Sequence, residues 1–216
     1  MTALGIWEDS PIGKVQITKI FTPFIFKLDK QYGSILPEDA ENYYSDILRV
    51  GSKKSDFILK HILPESYGGN YERQITEREI KTQILAWPDS PKIYGAIEYS
   101  RYRKLGSLIL MDKLDLSLTQ LLDHLKERNI KLKTIKKELR KTISSMIKRL
   151  HNKNIFHNDL HLENIMIKFK QRSGDILERL KNGYKLFFID FGLSTMYNCR
   201  DDCQRDFEVL GLISEY

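Results

Sequence analysis

Cysteine is scarce in this chain of 216 residues: only Cys199 and Cys203 occur, close together in a polar stretch. Two cysteines do not make a disulfide scaffold, and no His or further Cys flanks them to complete the roughly four ligands of a structural zinc. Free thiols in a reducing compartment are the expected state. Long hydrophobic runs are missing as well, since nothing approaches the roughly 18 apolar residues that cross a bilayer. The opening segment, Met1 to Asp9, lacks the basic start and apolar stretch of a secretory signal. Repeats and low-complexity tracts are absent. Together these absences predict an intracellular, cytoplasmic protein with no membrane partner.

What remains is a globular composition, 41% hydrophobic and 30% charged. The formal charge is +6, and much of the excess falls between Lys126 and Arg149. That stretch also carries an apolar stripe, so a solvated helix face is the simpler reading and no nucleic-acid partner is expected.

The first half reads as strands and turns. Val15 to Ile20 and Phe24 to Leu28 alternate in part, and Ile47 to Val50 and Phe57 to Leu63 form a second pair across the polar turn Gly51 to Ser55. Tyr71 to Ala86 suits a helix, stopped by Pro88 and Pro91, and the apolar run Ser107 to Met111 suits a buried strand. Helices dominate the second half. Leu116 to Arg128 is one, and Thr134 to His151 is another, with Ile135, Leu139, Ile143, Met146, Ile147 and Leu150 on one face. Two strand-like runs follow, Ile165 to Phe169 and Lys185 to Ile189, separated by a charged insertion from Gln171 to Gly183. A strand-rich half before a helix-rich half predicts an α+β fold.

Two motifs carry chemistry. His157-Asn158-Asp159-Leu160-His161-Leu162-Glu163-Asn164 places a carboxylate five residues before an amide, and Phe188-Ile189-Asp190-Phe191-Gly192 ends an apolar strand in a second carboxylate. Asp159 is suited to orient or deprotonate a hydroxyl. Asn164 and Asp190 supply the hard oxygens that magnesium prefers. Gly192 lets the chain turn away after Asp190.

In this order the elements and motifs resemble the protein-kinase superfamily, from about Tyr44 to the C-terminus, and in particular compact atypical and viral Ser/Thr kinases. The resemblance implies a bilobal fold over residues 1–216: a sheet lobe to 111, a hinge over 112–115, and a reduced helical lobe from 116. It implies ATP and Mg²⁺, with Asp159, Asn164, Asp190 and Lys60 catalytic and with Asn164 and Asp190 on the metal. Lys60 would touch the α- and β-phosphates and pair with Glu79 of the following helix, Glu77 being the fallback. Met111, Asp112 and Leu114 would bring gatekeeper and hinge to the adenine. His157 would pack near Phe191 as a structural group, and Asp206 would steady the catalytic-loop backbone with Leu210-Gly211 as its buried continuation. A viral member would work in the cytoplasm of its host.

The departures from the family pattern are informative. His161 stands where most protein kinases carry Lys, as in small-molecule kinases, and could donate a hydrogen bond to phosphate. No Gly-x-Gly-x-x-Gly precedes Lys60; Gly33-Ser34 lies at a plausible distance for a degenerate phosphate-covering loop. No Ala-Pro-Glu follows Asp190, and the peptide-docking helices are missing, which leaves the reduced lobe open to a docking partner. Three functions follow: a minimal Ser/Thr protein kinase, a small-molecule kinase of the aminoglycoside or choline type, and a nucleotide-binding pseudokinase scaffold. A protein substrate is expected for the first.

Overall fold

The computed structural model describes residues 5–7, 15–22, 32–34, 45–50, 56–62, 70–101, 104–128, 132–171, 173–196 and 200–216. The strand expected over Phe24 to Leu28 and the turn Gly51 to Ser55 lie outside them, as does Cys199. The chain divides into two compact units, 1–81 with 92–113, and 82–91 with 114–216.

The first unit is a seven-stranded antiparallel sheet. Its strands are β1 (Gly5–Trp7), β2 (Val15–Thr22), β3 (Tyr32–Ser34), β4 (Ser45–Val50), β5 (Phe57–Ile62), β6 (Ile93–Arg101) and β7 (Lys104–Asp112), in the order β1-β2-β6-β7-β5-β4-β3. Helix α1 (Asn70–Ala86) lies between β5 and β6 in sequence. The apolar run that suggested a buried strand is the middle of β7, and both of its faces are covered. Strand periodicity sends Leu108 and Leu110 to one side, where they meet Leu59, Ile97 and Tyr99. Ile109 and Met111 go to the other, against Ile62, Ile93, Ala96 and Ile80 of α1. Gly33 and Ser34 sit in β3, paired with Arg49 and Leu48, so they form a strand and not a phosphate-covering turn.

Gly106 has no room for a side chain. It faces Tyr99 across the β6–β7 ladder, and a Cβ there would lie 2.5 Å from the Tyr99 hydroxyl and 2.9 Å from the Ile62 carbonyl oxygen. That hydroxyl is held in the core 2.6 Å from His61 Nε2.

The second unit begins with β8 (Leu116–Ser117), α2 (Leu118–Glu127) and α3 (Leu132–Asn152). It continues with β9 (Ile165–Phe169), α4 (Ile176–Lys181), β10 (Tyr184–Phe188) and α5 (Arg200–Glu215). The helix expected from Leu116 starts at Leu118, because Ser117 caps it. The Ser117 hydroxyl accepts from the Gln120 N–H while the Gln120 side chain accepts from the Ser117 N–H. Leu116 and Ser117 instead pair with Ile167 and Met166. The insertion after β9 folds into α4, whose start is a second capping box between Asp175 and Glu178.

One apolar core joins these elements: Leu121, Leu122 and Leu125 of α2, Leu139, Ile143, Ile147 and Leu150 of α3, Ile165 and Ile167 of β9, and Phe188 of β10. From α5 the core takes Val209 and Ile213; Leu210 is only half-buried and Gly211 is exposed. The expected burial of Leu210-Gly211 is therefore off by one helical step. Among the described residues no helix is long and apolar enough to cross a membrane.

Candidate active site

The chemistry-bearing loop of the second unit starts where α3 stops. Asn154 takes a left-handed conformation at φ 56°, and the N–H groups of Lys153, Asn154 and Ile155 close back on Leu150 and His151 carbonyls. Phe156 then exchanges both backbone hydrogen bonds with Thr195, at 3.0 and 2.8 Å.

Beyond that bridge the backbone is held by one buried carboxylate. Asp206 of α5 is fully buried and accepts the His157 N–H at 2.9 Å and the Asn158 N–H at 2.8 Å. His151 Nε2 lies 2.9 Å from the same group. The expected structural role of Asp206 has this physical basis: it answers two orphan donors that a tight loop cannot pair with itself. Asn158 sits at φ 65°, a left-handed position that Asn tolerates better than most residues. Its side-chain amide donates to Thr195 Oγ1 at 3.0 Å.

His157 is fully buried, 4.8 Å from the Phe191 ring between centroids. Its Nε2 donates to the Ile189 carbonyl at 2.8 Å, while Nδ1 is buried without a partner. Burial pushes the imidazole pKa down, because an imidazolium there would be desolvated. The ring is thus a neutral spacer between the two motifs.

After His157 the side chains alternate. Leu160 and Leu162 are buried, and Asp159 and His161, each just before one of them, keep 42% and 43% of their side-chain surface exposed. A single turn of 3-10 helix over Leu162–Asn164 brings Asn164 back beneath Asp159. Asn164 is buried, and its Nδ2 donates to the Asp159 carbonyl oxygen at 2.9 Å and to the Asp159 carboxylate at 3.2 Å. His161 Nε2 lies 3.9 Å from the Asp159 carboxylate, an exposed pair of small energetic weight.

Asp190 arrives from the neighbouring strand. Phe188 pairs with Ile165, and the Ile189 N–H donates to the Asn164 carbonyl at 3.0 Å, so the ladder runs on to the threshold of both motifs. Asp190 itself is left-handed, at φ 63° and ψ 69°. Such a non-glycine position costs on the order of 1 kcal/mol and persists only where its surroundings impose it. Here the fully buried Phe191 and the Ser194 Oγ bond to the Phe191 carbonyl, at 2.6 Å, do so.

The donor set suits magnesium. Because Asn164 turns its nitrogen to Asp159, its amide oxygen is the atom that could serve a metal, and Asp190 could add a carboxylate. Magnesium is commonly held by one or two such groups with substrate phosphates completing its shell.

In the first unit, Lys60 shares a strand face with Ile58 and Ile62, the face that packs on Ile80 of α1. Its Nζ lies 2.5 Å from Glu79 Oε1, and both side chains are largely buried. Glu77, two positions earlier and so near the opposite side of the helix, meets Lys19 and Lys81 instead, each at 2.6 Å. These bonds, Lys19 first, hold the Glu77 carboxyl down at about 2. Glu79 is thus the partner the geometry selects. Met111 is buried at the end of β7, and Asp112 accepts from the Lys92 N–H at 3.2 Å. The Asp112 and Lys113 N–H groups donate to the Lys92 and Asp56 carbonyls. Leu114, buried, belongs to the second unit.

Sequence reasoning missed several supports. Buried Asp89 accepts two bonds from Arg149, at 2.9 and 2.7 Å, and its carbonyl accepts the Phe188 N–H at 2.8 Å. Lys153 caps the end of α1 by donating to the Leu85 and Trp87 carbonyls. No local pattern marks these pairs, which are more than 55 residues apart in sequence; only a Lys or Arg near a helix end hinted at them.

A sheet-rich lobe and a helical lobe, with an Asp–Asn loop and an Asp-Phe-Gly turn on adjacent strands, define a kinase-type phosphotransferase fold. The sequence matches the protein kinase domain family over residues 44–209, and the chain belongs to that family. No curated protein matches it individually. Among solved structures it is similar to WaaP in complex with acyl carrier protein, at 15% identity and a TM-score of 0.52, over 87% of this chain and 71% of that one. At that identity the likeness concerns the fold alone.

Proposed function

We propose that the chain transfers the γ-phosphoryl group of ATP to the hydroxyl of Ser or Thr in a protein substrate. The observation that carries this reading is the Asn164 amide bonded to Asp159, which orients the base and the metal-binding oxygen from a single buried side chain. Asp159 accepts the hydroxyl proton as the new P–O bond forms and the bond to the ADP oxygen breaks. Asn164 and Asp190 would hold magnesium, which when bound offsets charge on the phosphates. Lys60, fixed by Glu79, contacts the α- and β-phosphates. Met111, Asp112 and Leu114 lie on the segment that receives adenine in related kinases. Catalysis on this reading is positioning and electrostatics. A cytoplasmic setting belongs to the same reading, in keeping with a sequence that carries only two cysteines.

A second reading, a small-molecule acceptor, is favoured by His161. At 43% exposure beside Asp159 it offers a hydrogen-bond donor in place of the usual lysine. Phosphoamino-acid analysis separates the two. Incubation with γ-labelled ATP and casein or myelin basic protein is expected to give phosphoserine or phosphothreonine. Label recovered only in an aminoglycoside or choline panel would move the assignment to the second reading.

A further inference from the structure

A groove of about 680 Å³ opens between α3 and α5 in the second unit, away from the residues assigned to phosphoryl transfer. Lys133, Lys136, Lys137, Arg140 and Lys141 line it from α3, and Leu210 and Ser214 line it from α5. Among the described residues no acidic and no aromatic side chain belongs to the lining. Lys136 reaches the Ser214 carbonyl at 3.4 Å, at the end of α5. The other four are exposed.

Next to Leu210 stands Gly211, and its place in mid-helix needs a reason. A glycine there costs about 1 kcal/mol relative to alanine, which ordinary packing would have to justify. Nothing among the described residues does so, since a Cβ at Gly211 would meet no atom of theirs within 4 Å. Gly211 is three residues from Ser214 and so borders the groove from the exposed side of α5, outside its lining. A bare helix surface beside a groove suits the close approach of another backbone.

We propose that this groove docks an acidic segment of a partner protein, with carboxylates against the α3 cations and small apolar side chains on Leu210. Charge complementarity selects the sign of the occupant. The apolar surface of Leu210 and the lack of an aromatic side chain among the described lining residues favour peptide over single-stranded nucleic acid, which relies on aromatic platforms. The inference is independent of the phosphoryl-transfer reading.

Fluorescence anisotropy on the full chain tests it, with a labelled dodecapeptide of alternating Glu and Leu, an all-Glu dodecapeptide and a 20-nucleotide single-stranded RNA. The Glu-Leu peptide is expected to bind tightest. Its affinity should fall at least about tenfold in the Lys136→Glu/Lys137→Glu/Arg140→Glu variant, whose changes lie on the groove rim. Gly211→Leu, which has open space to fold into, should weaken the peptide while raising Tm. Asp159→Asn should bind it as the unaltered chain does. Tighter binding of RNA, equal binding of the all-Glu peptide, no peptide binding, or affinity unchanged by both groove variants would overturn the proposal.

Discussion

Asn164 bonds through one nitrogen to both the carbonyl and the carboxylate of Asp159, five residues before it. Two functional groups are thereby placed by a single rotamer. Loss of the amide should disturb both. Asn164→Ala is expected to shift the Mg²⁺ dependence of ATP turnover to higher concentration and to lower kcat by about 10²-fold. A magnesium titration under single-turnover conditions reads this, and an unshifted titration would remove Asn164 from the metal.

Asp206 should matter for stability. With Asp206→Ala, the His157 and Asn158 N–H groups lose their acceptor in a buried loop. Each orphaned donor costs about 1–3 kcal/mol, so urea denaturation should show a loss of about 2–6 kcal/mol. A change below about 0.5 kcal/mol, the usual scale of a surface substitution, would mean that water satisfies both groups.

Glu79 and Glu77 can be told apart by activity. Glu79→Gln should raise the KM for ATP, because Lys60 loses the partner that fixes it. Glu77→Gln should leave kcat/KM within about twofold, since its pairs with Lys19 and Lys81 involve partly exposed groups. Equal losses in both variants would contradict the assignment of Glu79.

Glu77 has instead a pH signature. Its folded pKa is depressed from 4.5 to about 2, so it stabilises the native state fully above the unfolded value. That contribution is lost as pH falls from about 4.5 through about 2. The stability difference between the unaltered chain and Glu77→Gln should therefore shrink across this window and with added salt. A difference that grows on acidification would reverse the sign.

Gly106→Ala should destabilise the first unit by about 1–3 kcal/mol through overpacking against Tyr99. Thermal unfolding of Gly106→Ala alone and combined with Tyr99→Phe checks it. The second change removes the atom that the Cβ would approach most closely, and part of the loss should return.

These contacts show why some of the molecule was legible in sequence and some was not. The fixed offsets of two short motifs made Asp159, Asn164 and Asp190 readable. Lys60 followed from the family resemblance those motifs carry, since the alternation in Phe57 to Ile62 alone marks only a strand. Glu79 was reached by spacing, and helical phase explains why Glu77 lies elsewhere. The need for glycine at 106 is invisible until β6–β7 pairing sets Tyr99 opposite it. His151 and Asp206 meet across 55 residues, and Arg149 and Asp89 across 60, by tertiary packing alone. Helix α4 was overlooked although Asp175 and Glu178 carry a start signal, because six residues give too short an apolar period to recognise.

The central claim is that Asp159 serves phosphoryl transfer and not loop structure. Its half-exposed side chain makes Asp159→Asn a mild change for folding. Label transfer from γ-labelled ATP, measured beside the Tm of each protein, tests this most directly. The expected result is a loss of about 10²-fold or more in transfer at unchanged Tm. Equal transfer by the two proteins would contradict the account.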